Sequence, residues 1–326
     1  MDPFFHHQQL IEKALKDTVY GSSPKELYEP IDYMMSLGGK RMRPLFVLTG
    51  CDLFDGNIDK AIHAALAVEI FHNFTLVHDD IMDKAPLRRN KSTVHEKWNE
   101  NTAILSGDVM LVKAYQELCK SDLAILPGLL QVFSDTAIQV CEGQQLDMNY
   151  EKLPRISIQQ YLKMIELKTA VLVAASFKMG AIIAGADEKN AQQLYEFGKY
   201  IGIAFQLQDD VLDVFADTEK FGKQKGGDIV SNKKTYLLLK AMEMAESNRY
   251  LKEELHQWLN APHFDVKEKV EAVTAIYNFF NIKELASNEM KKFYDAGIKC
   301  LDNLTVKASK KDNLLTLANS LMERAH

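Results

Sequence analysis

Asp79, Asp80 and Asp83 close a long, mostly apolar run, Ala61 to Val77, and carboxylates at that spacing can hold divalent cations. At about 100° per residue, Asp79 and Asp83 lie one helical turn apart on one face, with Asp80 round to the side. Ala85-Pro86 follows and stops a helix. The acids therefore stand near a helix C-terminus, where the macrodipole disfavours negative charge, and dications would offset that. The pattern returns as Asp209-Asp210-Val211-Leu212-Asp213, after the apolar stretch Ile201 to Leu207 and before the glycine-rich segment Phe221 to Gly227. One acidic triplet on a helix is usually a solvated face. Two, each closing an apolar run, stand at the rim of a core.

Three basic loops accompany them. Gly38-Gly39-Lys40-Arg41-Met42-Arg43-Pro44 breaks one helix and starts the next, which suits a phosphate site with Lys40 and Arg43 alongside; it would also serve as an ordinary interhelix loop. Arg88-Arg89 follows Asp83 closely and suits bidentate phosphate contacts or an internal salt bridge. Lys223 to Asp228 and Asn232 to Thr235 follow the second triplet, where the plain alternative is a solvated loop. Carboxylates supply hard oxygen ligands for Mg²⁺, which binds through carboxylates and substrate phosphates. A substrate with a diphosphate head and a hydrocarbon tail would meet the acids, the cations and the apolar helix together. The chemistry suggested is stabilisation of a departing diphosphate.

The elements that must position these residues read as helices nearly everywhere. Apolar residues recur with helical period over Gln8–Tyr20, Lys25–Leu37, Leu45–Phe54, Asp59–Lys84, Ala103–Cys119, Leu126–Met148, Ile158–Gly185, Ala191–Phe215 and Thr235–Glu246. Ser23-Pro24 and Ser157 are start signals. No strand alternation with Asn-Gly or Asp-Gly turns is visible, the eight prolines are read as helix-boundary residues, and no linker divides the chain. The expectation is one all-α domain over residues 1–326, a bundle of ten or more helices.

Composition narrows the function. With 326 residues, 47% hydrophobic, there is ample material for a core, and the net charge of −6 argues against nucleic-acid partners. Cys51, Cys119, Cys141 and Cys300 are scattered without metal or disulfide spacing and read as reduced thiols of a cytoplasmic protein. No secretory signal is expected, because Met1 to Tyr20 mixes His, Gln, Glu, Lys and Asp without an apolar run, and no membrane span, because the longest apolar runs contain His63, Glu69, His72, Asn73 and Lys178.

In their order these motifs resemble the trans-isoprenyl diphosphate synthases. The set runs from Gly38 to Pro44 through His72-x5-His78-Asp79-Asp80-x-x-Asp83, Arg88-Arg89, Gly143-Gln144-x-x-Asp147 and Lys168-Thr169-Ala170. It continues through Phe205-Gln206-x-x-Asp209-Asp210-x-x-Asp213, Gly222-Lys223 and Gly227-Asp228 to Lys233-x-Thr235-Tyr236. The resemblance implies an all-α fold around a deep central cavity, a homodimer, and head-to-tail condensation of isopentenyl diphosphate with dimethylallyl, geranyl or farnesyl diphosphate. It implies that Asp79, Asp80, Asp83, Asp209, Asp210 and Asp213 bind Mg²⁺, three ions per site, bridging to the allylic diphosphate. Arg88, Lys168, Lys223 and Lys233 would grip that diphosphate. Gly39, Lys40, Arg43, His72 and Arg89 would form the isopentenyl diphosphate pocket. Thr169 and Gln206 would lie near the carbocation, with Gln144 and Asp147 lining the same cavity. One departure is visible: where such enzymes usually carry Gly-x-Pro-Thr after the two arginines, this chain has Asn90-Lys91-Ser92-Thr93. Asn tolerates the left-handed conformation, so the turn can survive.

Product length turns on residues below the first triplet. In such enzymes an aromatic at the fifth position before the first aspartate goes with short products; here it is Phe74, with small Thr75 at the fourth. That combination is similar to the archaeal geranylgeranyl type, and geranylgeranyl diphosphate is the expected product, with farnesyl diphosphate the alternative. On an ideal helix Phe71 and Thr75 lie within about 80° of Asp79 and Phe74 about 140° away, so Phe71 could equally form the floor. Two other classes share parts of the pattern. A class I terpene cyclase would need a different second metal motif and no isopentenyl pocket. A non-catalytic partner subunit of a prenyltransferase would lack activity on its own.

Overall fold

The computed structural model describes residues 4–216 and 226–322. It is all-α, as the periodicity predicts. The helices are α1 (Phe5–Asp17), α2 (Lys25–Ser36), α3 (Met42–Leu53), α4 (Ile62–Met82), the single turn α5 (Val94–Lys97), α6 (Glu100–Leu118), α7 (Leu126–Glu151), α8 (Ile158–Ile165), α9 (Val171–Ile183) and α10 (Glu188–Phe215). Further helices follow from Gly227 to Met322. No helix among the described residues is long and apolar enough to cross a membrane.

The chain divides into two compact units. The first comprises Met1–Asp135, Ala175–Tyr195 and Thr305–Lys310. In it α4 packs against α3 and α6, and α4 is apolar almost all round: from Ala64 to Phe71 every residue is buried. A helix hydrophobic on all faces belongs in a core. Residues 175–183 cross α3 at glycines: a Cβ on Gly180 would run into Val47 O, and one on Gly50 would lie 2.5 Å from Phe177 O. Phe46 and Phe177 stack beside that crossing, centroids 4.7 Å apart.

The second unit comprises Thr136–Ala174, Glu196–Leu304 and Lys311–His326. Its core joins Tyr161, Met164 and Ile165 of α8 to Ile203, Leu207, Val211 and Val214 of α10 and to Tyr236–Leu239, Ile276 and Tyr277. Ser157 caps α8 in a reciprocal box with Gln160, as the start signal predicts.

The structure corrects the sequence reading in three places. A short hairpin pairs Leu87–Arg88 with Lys91–Ser92. Its turn residues Arg89 and Asn90 both have positive φ, 53° and 60°, the type I′ requirement; an Arg-Asn pair is not the usual signature, so pattern reading missed it. Pro30 lies inside α2, not at a boundary. The predicted helix Ile158–Gly185 is interrupted by a π-helical turn, Glu166–Ala170.

Gly180→Ala should overpack the α3 crossing and lower stability by roughly 1–3 kcal/mol. Gly128→Ala, whose Cβ would meet nothing nearer than 4.0 Å, should be neutral or stabilising. Denaturant midpoints of the two variants check this; equal midpoints would remove the case for a close approach at Gly180.

Candidate active site

In the first unit, α4 ends where the acidic triplet begins to splay. Lys84 takes φ 51°, Lys84 N–H donates to Ile81 O and Ala85 N–H to Asp80 O. This is a Schellman closure with lysine in the usual glycine place. Asp79 and Asp80 fall in the last turn and Asp83 caps it. Asp80 is 1% exposed. Arg88, on the hairpin, donates from Nε to both Asp80 oxygens at 2.9 and 2.8 Å, and a terminal nitrogen lies 3.5 Å from Asp79. Burial raises the Asp80 carboxyl above the usual range, and the Arg88 hydrogen bond and charge oppose that rise. The middle acid is thus inward and held, while Asp79 is half-buried and Asp83 exposed.

The basic residues predicted to take a second diphosphate gather beside it. Arg43 donates to His72 Nε2 at 3.1 Å; since guanidinium has no acceptor, the His72 proton is assigned to Nδ1. Burial first, then the charges of Arg43, Arg89, Arg88 and Arg41, hold His72 well below its ordinary pKa, so the ring is neutral. Arg89 donates to Gly38 O and lies so close over Gly39 that a Cβ there would be 2.7 Å from its guanidinium. Lys40 is exposed in the same loop.

Below the triplet the aromatic rings form a wall. Phe71 lies 5.6 Å from Phe74 and 5.3 Å from Phe133 between centroids, and Phe74 lies edge-on to His78 at 4.8 Å. Both phenylalanines are buried. Thr75 turns its hydroxyl back to His72 O at 2.7 Å, so it does not extend the wall.

The second unit holds the other predicted residues. Asp209 and Asp213 are half-buried one turn apart on α10, whereas Asp210 is 4% exposed. Tyr161 donates its hydroxyl to Asp210 Oδ2, and Gln206 reaches Oδ1 at 3.4 Å. Burial pushes the Asp210 carboxyl up to about 7, against the Tyr161 hydrogen bond. Thr169 donates to Gln206 Oε1 at 3.3 Å. Lys168, expected at the allylic diphosphate, donates to Asp147, expected along the cavity, at 2.6 Å. Asp213 accepts the Asp228 N–H at 3.0 Å, and Lys233 lies 3.9 Å from Asp228. Gln144 is half-buried on α7. Lys168 and Thr169 stand on the π-helical turn, a feature frequent at functional sites. Two glycines admit that turn: a Cβ on Gly143 would run into Lys168 N, and one on Gly202 would lie 2.8 Å from Ala170 Cα. Lys223 lies outside the described residues.

Sequence reasoning assigned no role to Tyr161, Arg41, Glu69 or Asn73. A glutamate and an asparagine inside the apolar helix Ala61–Val77 were visible in the sequence, and buried polar groups need partners; Tyr161 left no such signal.

A family model described as polyprenyl synthetase matches residues 24–277. The chain belongs to the polyprenyl synthetase family. It is a prenyltransferase. Among polyprenyl synthetases it is 40% identical over 245 residues to the geranylgeranyl diphosphate synthase of Methanosarcina mazei, covering 74% of this chain and 76% of that one. It is 41% identical over 243 residues to that of Sulfolobus acidocaldarius, 73% of each. A crystal structure of a geranylgeranyl pyrophosphate synthase superposes with TM-score 0.94 at 42% identity, covering 100% of both chains.

In this polyprenyl synthetase the folded state favours protonated Asp210, with a carboxyl near 7 against 3.8 ordinarily. Its stabilising contribution is therefore present below about pH 4 and lost as pH rises to about 7. In chelator, unfolding free energy of the wild type should fall across that window relative to Asp210→Asn. A pH-independent difference would contradict the shift.

Proposed function

We propose that this prenyltransferase condenses isopentenyl diphosphate with an allylic diphosphate to give an all-trans short-chain prenyl diphosphate, geranylgeranyl diphosphate as main product. The observation that carries the reading is the likeness of the two acidic triplets: each buries its middle carboxylate and leaves two, one turn apart, outside the core. Beside the first lies a separate basic cluster, Arg43–His72 with Arg89 over Gly39. One diphosphate needs the acids and a second needs the cations. A terpene cyclase would have no use for the second.

Magnesium fits this donor set. Asp79, Asp83, Asp209 and Asp213 offer hard oxygens. Among the described residues no three acidic, histidine or cysteine side chains converge to hold an ion alone, which suits Mg²⁺ bound by one or two carboxylates together with substrate phosphates. Three ions per site is the count we propose. When bound, they would neutralise charge on the departing diphosphate. The remaining work falls to the chain itself. Arg88, Lys168 and Lys233, with Lys223, hold the allylic diphosphate as its C–O bond breaks. Lys40, Arg43, neutral His72 and Arg89 hold isopentenyl diphosphate so that its double bond attacks the allylic carbon. Gln206, oriented by Thr169 and Asp210, presents amide oxygen density near the developing cation. A proton then leaves the new product for the released diphosphate. The reading takes residues 1–326 as a single isoprenyl diphosphate synthase domain, with Gln144 and Asp147 assigned to its cavity.

Product length follows from the wall of Phe74 and Phe71, and the names of the Methanosarcina and Sulfolobus relatives support twenty carbons. Phe71, three residues further from Asp79 than Phe74, would set a deeper floor; farnesyl diphosphate is the alternative product. Exposed Ile104, Leu105 and Val112 share a face of α6 and support a homodimer. The four free thiols support a cytoplasmic location.

The purified chain, with Mg²⁺, labelled isopentenyl diphosphate and each allylic starter, should yield geranylgeranyl diphosphate. Asp79→Ala should cut turnover by on the order of 10³ with the helical spectrum intact; near-normal turnover would sink the metal assignment. Phe74→Ala should lengthen the product, and unchanged length in both Phe74→Ala and Phe71→Ala would refute the wall.

A further inference from the structure

We infer that Arg41, Glu69 and Asn73 are positioning residues: a buried chain of hydrogen bonds sets the loop that presents Lys40 and Arg43 against the helix that carries His72. The inference rests on the pocket reading above.

Arg41 precedes α3 with φ 45° and ψ 40°. A non-glycine residue in that left-handed region costs free energy and persists where the surroundings impose it. Here its side chain imposes it. The Arg41 side chain is 8% exposed and that of Glu69 3%. One terminal nitrogen of Arg41 donates to Glu69 Oε1 at 2.5 Å and the other to Met35 O at 2.6 Å. Glu69 Oε1 also accepts from Asn73 Nδ2 at 3.0 Å, and the same nitrogen donates to Glu69 O at 2.8 Å. One guanidinium thus ties the C-terminal turn of α2, the Gly38–Lys40 loop and the middle of α4.

The consequence reaches the pocket through short covalent spacings. Lys40 and Arg43 flank Arg41, and His72 follows Glu69 by less than one turn of α4. With Arg41 turned inward onto Glu69, Lys40 is exposed and Arg43 meets His72, the next residue up that face of α4. Glu69 also acts on the field, since its charge opposes that of Arg41 at Arg89. Arg41 itself, enclosed by a carboxylate and a carbonyl, is not a phosphate ligand. A buried ion pair is weak evidence of stability, because a packed apolar pair does as well. What it supplies here is a defined angle between loop and helix.

Steady-state kinetics on three variants tests this: Glu69→Gln, Arg41→Met, and the double variant Arg41→Met/Glu69→Leu, which leaves no unpaired buried charge and so keeps the test open if the single variants fold poorly. KM for isopentenyl diphosphate should rise on the order of tenfold, as for a displaced binding group. KM for the allylic diphosphate should stay within about twofold and kcat within a few-fold of wild type. Calorimetric Kd values for isopentenyl diphosphate alone should move with its KM. An unchanged KM for isopentenyl diphosphate in the folded double variant, or both KM values rising together, would overturn the inference while leaving the enzyme reading intact. A wild-type chain that condenses no starter and binds no isopentenyl diphosphate would overturn the reading and the inference with it.

Discussion

Negative charge at the C-terminal end of a helix is unfavourable twice over, through the macrodipole and through mutual repulsion. Each acidic triplet meets that constraint by dividing its members. The middle carboxylate goes into the core with donors, and the outer two stay at the rim. Asp80 is held by the Arg88 fork, whose hydrogen bonds and charge oppose the upward push of burial. Asp210 is held by the Tyr161 hydroxyl and the Gln206 amide, and burial pushes its carboxyl up to about 7. The same sequence pattern therefore rests on two different physical solutions. In both, the buried member fixes the helix rotation that sends its neighbours outward.

Backbone clearance is the second requirement. Lys168 and Thr169 stand on a π-helical turn that Gly143 and Gly202 allow to come within van der Waals distance of neighbouring helices. A methyl group at either glycine would press on backbone, which cannot move aside as a side chain can. At Gly39 in the first unit the neighbour is a side chain, the Arg89 guanidinium, which covers the glycine. Asn90 stands in for the glycine usual in such enzymes by adopting φ 60°, and the hairpin that carries Arg88 closes without it. Helix end, hairpin and loop are thus set by a handful of residues with positive φ, two of them arginines held by their own side chains.

Much of this was legible in the sequence. The helices appear where the apolar period places them, because helical periodicity is a local property of the chain. The two triplets, their one-turn spacing and the stop at Pro86 are equally local, and with the ordered motifs they determined the family and the class of chemistry. What the tertiary structure alone decided is which way each charged side chain turns. Nothing in Lys40-Arg41-Met42-Arg43 says that the second cation points inward; its partner, Glu69, comes from a different helix. Nothing around Asp210 names Tyr161, which lies on α8. The Arg89–Asn90 hairpin and the π-turn likewise depend on neighbours remote in sequence. Composition and period fix what a residue is and which face it shares, but burial and hydrogen-bond partners are properties of contacts between distant segments, and those arise only when the chain is packed.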